Sequence, residues 1–167
     1  MITQDMDYHP VVSKIIQILQ THKMQYVTFE HEPVRTSEEA AKVRPGFSLK
    51  QGAKAIILRT YTGNADHDFI MIVLPGDSRF NGSKLKKILH VRDIRFATPD
   101  EIAGITGGVE PGGVPPFGNI FNMRVVADST LFDNEKIILN AGDRRFSVAM
   151  KSADYRYIIR PTVEDII

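Results

Sequence analysis

The stretch from Gly107 to Gly118 reads Gly-Gly-Val-Glu-Pro-Gly-Gly-Val-Pro-Pro-Phe-Gly, and it constrains the fold more than any other part of the chain. Its glycines lack the Cβ that favours regular backbone, and its prolines fix φ and remove amide donors. It therefore reads as a rigid connection, with helix and strand patterns on either side. Glycine N–H groups in such a connection can turn toward a carbonyl or phosphate oxygen. A plain link between a helix and a strand has the same composition. The stretch is not a Walker A loop, because no Gly-Lys-Ser/Thr follows. It precedes a strand pattern instead of opening a long helix, so it is not a dinucleotide fingerprint either.

Before the loop, Pro10 can open a helix whose inner face is Val12, Ile15, Ile16 and Leu19. Tyr26 to Phe29 alternate as a strand does. Thr36-Ser37-Glu38-Glu39 reads as a capping box opening a short helix to about Val43, ended by Pro45-Gly46. Ala53 to Tyr61 and Phe69 to Leu74 read as two strands joined by a turn at Gly63-Asn64. Pro75-Gly76-Asp77 breaks the second. Ser83 is expected to cap a basic helix to about Leu89, and Phe96 marks a short strand. Thr98-Pro99-Asp100-Glu101 starts another helix, ended by Gly104 or Gly107. After the loop, strands are expected near 121–126, 136–140 and 145–150, with a helical turn from Asp128 to Phe132. Ser152 and Thr162 are expected to cap two last helices. Strands outnumber helices and no βαβ alternation is visible, so the fold class is α+β: one domain over residues 1–167, with a mixed, mostly antiparallel sheet.

Composition narrows the function. With no Cys, a disulfide framework, a Cys-ligated zinc site and a thiolate nucleophile are excluded. The five histidines include His9, His22, His67 and His90, scattered without metal-ligand spacing, so no metal and no cofactor is expected. A net charge of +1 argues against a non-specific polyanion binder. One segment departs from that balance: Ser83 to Arg95 holds Lys84, Lys86, Lys87, Arg92 and Arg95 against Asp93, which is 5 − 1 = +4. Either a solvated helix face or a contact to nucleic-acid phosphates has this pattern. No signal-peptide pattern and no apolar run long enough to cross a bilayer is seen, so a soluble, cytoplasmic protein is expected, with no membrane and no DNA partner.

Several segments, in order, carry a resemblance. Gly112-Gly113-Val114-Pro115-Pro116-Phe117-Gly118 resembles the glycine-x-x-x-proline loop of the YbaK/prolyl-tRNA-synthetase-associated editing domains. Phe29 to Pro33 resembles that family's first strand and its exit, and Thr36 to Val43 the helix after it. Gln51 to Leu58 resembles the strand carrying the family's functional lysine, and Asn140 to Arg145 its late small-residue turn. No synthetase body flanks these segments, so the chain resembles a freestanding member.

The resemblance implies a trans-acting hydrolase that cleaves the ester of a mischarged aminoacyl-tRNA, with a small non-cognate amino acid on tRNA for proline. Prolyl-tRNA synthetase is the associated partner it suggests. No metal and no covalent nucleophile is implied; the substrate's own ribose hydroxyl helps to activate the water. Carried over by position, the catalytic groups are Lys54 and Gly112. Substrate-binding positions are Phe29, His31, Gly113, Pro116, Asn140, Gly142 and Ser147, and Asp143 is a candidate for positioning water. Ser147 stands where the cysteine-specific branch carries an acidic residue. Lys84, Lys86 and Lys87 become candidates for tRNA contact. Two other readings stay open: a tRNA-end or synthetase-associated binding module without turnover, and a small-molecule binder on an α+β scaffold.

Overall fold

Pro10 in the first turn, and a His9 ring whose Nδ1 accepts the Val11 N–H at 3.2 Å, start the first helix where the apolar spacing predicts it. The computed structural model describes residues 7–63 and 65–167, so Asn64 of the expected turn lies outside the described residues. In chain order the elements are α1 (Pro10–Thr21), β1 (Tyr26–Glu30), α2 (Ser37–Lys42), β2 (Ala53–Tyr61), β3 (His67–Pro75), α3 (Gly82–Leu89), β4 (Asp93–Phe96), α4 (Pro99–Thr106), β5 (Arg124–Asp128), β6 (Lys136–Asp143), β7 (Phe146–Lys151), α5 (Ser152–Ile159) and β8 (Thr162–Glu164).

The α+β class holds, with the strands divided between two sheets. A three-stranded antiparallel sheet runs β1-β7-β6, and a five-stranded mixed sheet runs β4-β2-β3-β5-β8. In the larger sheet β2 pairs antiparallel with β3 and β4, whereas β3–β5 and β5–β8 are parallel. Strand alternation sends Ile57, Met71, Val73 and Val125 into the main core with α1 and the small sheet. It sends Leu58, Ile70, Ile72 and Val126 to the other face, under Leu85 of α3 and Ile166. Both faces of β3 are thus covered, which is why Phe69 to Leu74 is a continuous apolar run.

Four sequence expectations are corrected. α3 is capped by Asn81, whose Oδ1 accepts the Lys84 N–H at 3.0 Å, two residues before Ser83. Asn and Ser cap equally well, and here the chain enters the helix at the earlier one. The strand expected at 121–126 starts at Arg124, because Gly118–Phe121 form a 3-10 turn closed by Asn122 at φ +53°. Ser152 is the first residue of α5, and its hydroxyl donates to the Asn134 carbonyl at 2.6 Å instead of capping. Thr162 opens β8, because the free edge of β5 takes up its backbone and Asp128 Oδ2 then accepts the Ile166 N–H at 2.9 Å. Among the described residues no helix is long and apolar enough to cross a membrane.

Candidate active site

Between an isolated bridge of Gly52 to Ile138 of β6 and the start of its pairing with β4, β2 has no ladder partner on one side. β4 pairs with β2 only from Leu58 to Tyr61, and Ala97 N–H adds one bond to the Ile57 carbonyl at 3.0 Å. By the two-residue period, the Ala55 N–H and carbonyl point the same way, where no strand continues. Against this open edge lies a cavity of about 430 Å³. Its walls come from α2 and the turn after it (Thr36, Arg44, Phe47), from β2 (Lys54), from the glycine-rich loop (Gly112) and from β6 (Asn140). Elements separated widely in sequence therefore converge on it.

Lys54 is half-buried there, and its Nζ donates to the Ser78 carbonyl at 2.7 Å. Burial pulls its pKa below the usual lysine value, Glu38 and Asp77 oppose the fall, and Arg79 adds to it. The ammonium is held by a neutral carbonyl, with two of its three donors left for a ligand.

Gly112 faces the cavity from the loop at φ +89°, a region that favours glycine. A Cβ at this position would stand 2.9 Å from the Arg35 carbonyl oxygen, so the loop needs glycine for space as well. Asn140 Nδ2 donates to the Gly112 carbonyl, while the Gly112 N–H meets no acceptor among the described residues. Asn140 Oδ1 accepts from Arg44 Nη2 at 2.6 Å, and Arg44 Nε donates to Ser147 Oγ at 3.0 Å. His31 Nδ1 lies 2.8 Å from the Glu32 carbonyl, which can only accept, so Nδ1 carries the proton. His31 Nε2, 2.7 Å from Ser147 Oγ, then accepts the serine proton. Every bond in this chain has one consistent direction. Burial holds the His31 pKa below its ordinary value; the Glu32 carbonyl opposes that, and Arg44 adds to it.

Sequence reasoning missed Arg44. It is only 6% exposed, it lines the cavity, and burial brings its pKa down to about 10, so it stays charged at neutral pH. No carboxylate pairs with it among the described residues. The sequence holds no signal for it, because its partners are 96 and 103 residues away.

Of the positions named from sequence, Lys54, Gly112 and Asn140 meet on the cavity wall. His31 and the fully buried Ser147 stand behind it, in the Arg44 network. Phe29 reaches it through an edge-to-face contact with Phe47 at 6.0 Å. Gly113 accepts the Gly142 N–H at 3.0 Å, and the Pro116 carbonyl accepts from Tyr155 Oη at 2.6 Å, so both anchor the loop from behind. Gly142, at φ +102°, makes room for Val11 of α1. Asp143 lines a separate cleft with Tyr8, Arg144 and Arg145. On α3, Lys84 bonds to Asp165 at 2.8 Å and to the Ile167 carbonyl at 2.7 Å; Lys86 and Lys87 form no ion pair among the described residues.

An ammonium and an unpaired N–H lining one cavity can share the negative charge that develops on a carbonyl oxygen under attack by water. Comparisons with known proteins agree with such chemistry. A family model described as the aminoacyl-tRNA editing domain matches residues 31–158. The chain is 32% identical over 151 residues to the multifunctional Ser/Thr-tRNA deacylase ProXp-y of Escherichia coli K12, covering 89% of this chain and 87% of that protein. It is 30% identical over 120 residues to the proline–tRNA ligase of Ralstonia pickettii, covering 72% of this chain but 21% of that enzyme. The crystal structure of the hypothetical protein APE2540 superposes with a TM-score of 0.78 at 25% identity, covering 92% of this chain and 98% of that one.

Proposed function

Starting from the fact that this chain belongs to the aminoacyl-tRNA editing domain family, we propose that it is a trans-acting deacylase that hydrolyses the ester of a mischarged tRNA. The observation that carries the reading is that Lys54 and Gly112, 58 residues apart in the chain, line one cavity beside an unpaired stretch of strand edge. The aminoacyl group enters the cavity with its ester carbonyl between the Lys54 ammonium and the Gly112 N–H. The Ala55 backbone on the open edge offers a carbonyl to the substrate's α-ammonium. Water attacks the carbonyl carbon, and both donors bind the oxygen as it becomes an oxyanion. The proton that the attacking water loses passes to the ester's ribose oxygen as the tetrahedral intermediate collapses, the C–O bond breaks, the ribose leaves with a free hydroxyl, and the free amino acid diffuses out.

Finer statements belong to the same proposal. The chain acts as one editing domain over residues 1–167. Apolar walls from Ala40, Ala41, Ala53 and Val114 suit a small amino acid. By similarity to a Ser/Thr-tRNA deacylase and to part of a proline–tRNA ligase, we assign serine or threonine on tRNA for proline, with prolyl-tRNA synthetase as the associated partner. Alanine and cysteine stay as further small candidates, and the cytoplasm as the proposed compartment. Lys86 and Lys87 bind acceptor-stem phosphates. His31, Ser147 and Phe29 act from behind the wall; Gly113, Pro116 and Gly142 set the loop.

The test is a panel of tRNAs mischarged with alanine, serine, threonine or cysteine. Release of at least one amino acid well above the uncatalysed rate is expected. Folded protein that releases none of them would overturn the reading.

A further inference from the structure

Three large hydrophobic side chains stand exposed among the described residues: Val27 at 59%, Phe96 at 62% and Tyr157 at 61%. Only Phe96 of these lines the cavity. It is the last residue of β4, directly opposite Leu58 of β2. Leu58, Ile56 and Lys54 alternate onto the same sheet face, so Phe96 shares a face with Lys54. Leu58, the strand partner of Phe96, lies four residues from Lys54, roughly 13 Å along β2, so an extended substrate held at Lys54 can reach toward Phe96. Phe80 supports the Phe96 ring from behind, edge to face, with centroids 5.8 Å apart and planes at 67°. That contact leaves a Phe96 face open beside the mouth.

The chain direction beyond this pair fits the rest of an RNA strand. Phe80 immediately precedes Asn81, the cap of α3, and Gly82 sits against Ile94 of β4. From there α3 runs to His90, and the chain turns back into β4 at Asp93. α3 is therefore antiparallel to β4 and leads away from the cavity for eight residues, roughly 12 Å, carrying Lys86 and Lys87. A strand whose terminal nucleoside lies at Phe96 meets those lysines with its upstream phosphates.

We propose that Phe96, braced by Phe80, is the stacking platform for the terminal nucleobase of the aminoacylated RNA. This rests on the deacylase reading, since it assumes an ester held at Lys54. Stacking on an aromatic ring works for any base, so the platform places the substrate's end without reading its sequence. It also accounts for a phenyl ring left exposed to water where it lines the cavity.

Two non-hydrolysable probes separate the proposal from its premise: seryl-adenosine joined through an amide at the ribose, and the same compound without the base. Wild-type protein is expected to bind the adenosine compound more tightly than the base-free one. Phe96→Ala should weaken the adenosine compound roughly 5- to 150-fold, the range of one lost base–aromatic stack, and leave the base-free compound unchanged. Phe96→Trp should retain binding and Phe96→Leu should not, which keeps the test valid if the alanine variant folds poorly. Equal binding of both compounds by wild type, or no binding of either, overturns the platform. So does an equal loss on both, which would make Phe96 part of the cavity wall. So does no loss on either, as expected if the ring meets a protein partner. Failure of the deacylase reading shows up separately, as wild-type protein that hydrolyses no mischarged tRNA.

Discussion

Two sets of cations flank β2, and they are held in opposite ways. At the paired end, Arg59 and Arg95 share the Glu101 carboxylate at 2.8 Å each, and the Arg59 guanidinium lies over the rings of Tyr61 and Phe69 at 5.4 and 5.7 Å. Glu101 also accepts the Thr98 N–H at 2.9 Å, closing the capping box of α4. At the open end, Lys54 and Arg44 are held by neutral groups: the Ser78 carbonyl, the Asn140 amide and the Ser147 hydroxyl. Glu38 and Asp77 act on Lys54 without a direct hydrogen bond. The first set is ion-paired to a carboxylate where it stands and so serves the fold. The second is desolvated without an ion-paired counter-charge, a costly arrangement that leaves positive potential for an incoming anionic or developing-anionic group.

The contrast predicts where activity and stability part company. Lys54→Ala should lower kcat/KM by roughly 10²–10³, with little change in Tm, because only one neutral acceptor loses its partner. Steady-state hydrolysis and thermal melting check this together, and an unfolded or fully active variant would break the contrast. Asn140→Asp sharpens it by giving Arg44 a carboxylate while removing the donor to the Gly112 carbonyl. Tm should hold or rise, and kcat/KM should fall about tenfold, the worth of one net hydrogen bond. Retained activity would show that Asn140 does not set the Gly112 loop.

Glu101→Gln should do the reverse: lower stability, with activity per folded molecule unchanged. Hydrogen bonds from Arg95 and then from the Thr98 N–H hold the Glu101 carboxyl well below the usual carboxylate range. Burial alone would push Asp143 up, but hydrogen bonds from Arg145 and from the His9 N–H bring it down to about 2. A carboxyl depressed in the folded state contributes stability above its unfolded value, about 4, and loses it as pH falls toward the folded value. Denaturant titrations should therefore show wild type weakening from about pH 4 down to 2, and the decline should be shallower in Glu101→Gln. The smallest effect concerns α3. Replacing Lys86 and Lys87 with Gln should reduce the salt slope of tRNA binding by roughly 1.4–1.8, for two phosphate contacts, without changing hydrolysis of a minimal aminoacyl-adenosine. An unchanged slope would make these lysines a solvated helix face.

Much of the fold is legible in the sequence because its signals are local. Pro10, the Thr98 capping box and the apolar run at Phe69 each act within a few residues of themselves. The α3 cap and Thr162 are misplaced where two local signals compete, or where a distant strand takes up the backbone, as β5 does at Thr162. The site divides the same way. Lys54, Gly112 and Asn140 stand in segments that carry the family resemblance. Arg44 belongs to the site through contacts across the whole chain, and next to Pro45 it reads only as the end of a short helix.

The central claim is that the cavity beside the open edge of β2 holds the ester, and amide-resolved NMR with the amide-linked seryl-adenosine probe tests it most directly. The largest shifts are expected at the Gly112 and Ala55 amides, with a change at the Lys54 side chain. Shifts confined to the separate cleft around Tyr8, Glu110, Asp143 and Arg145 would place substrate elsewhere and contradict the claim.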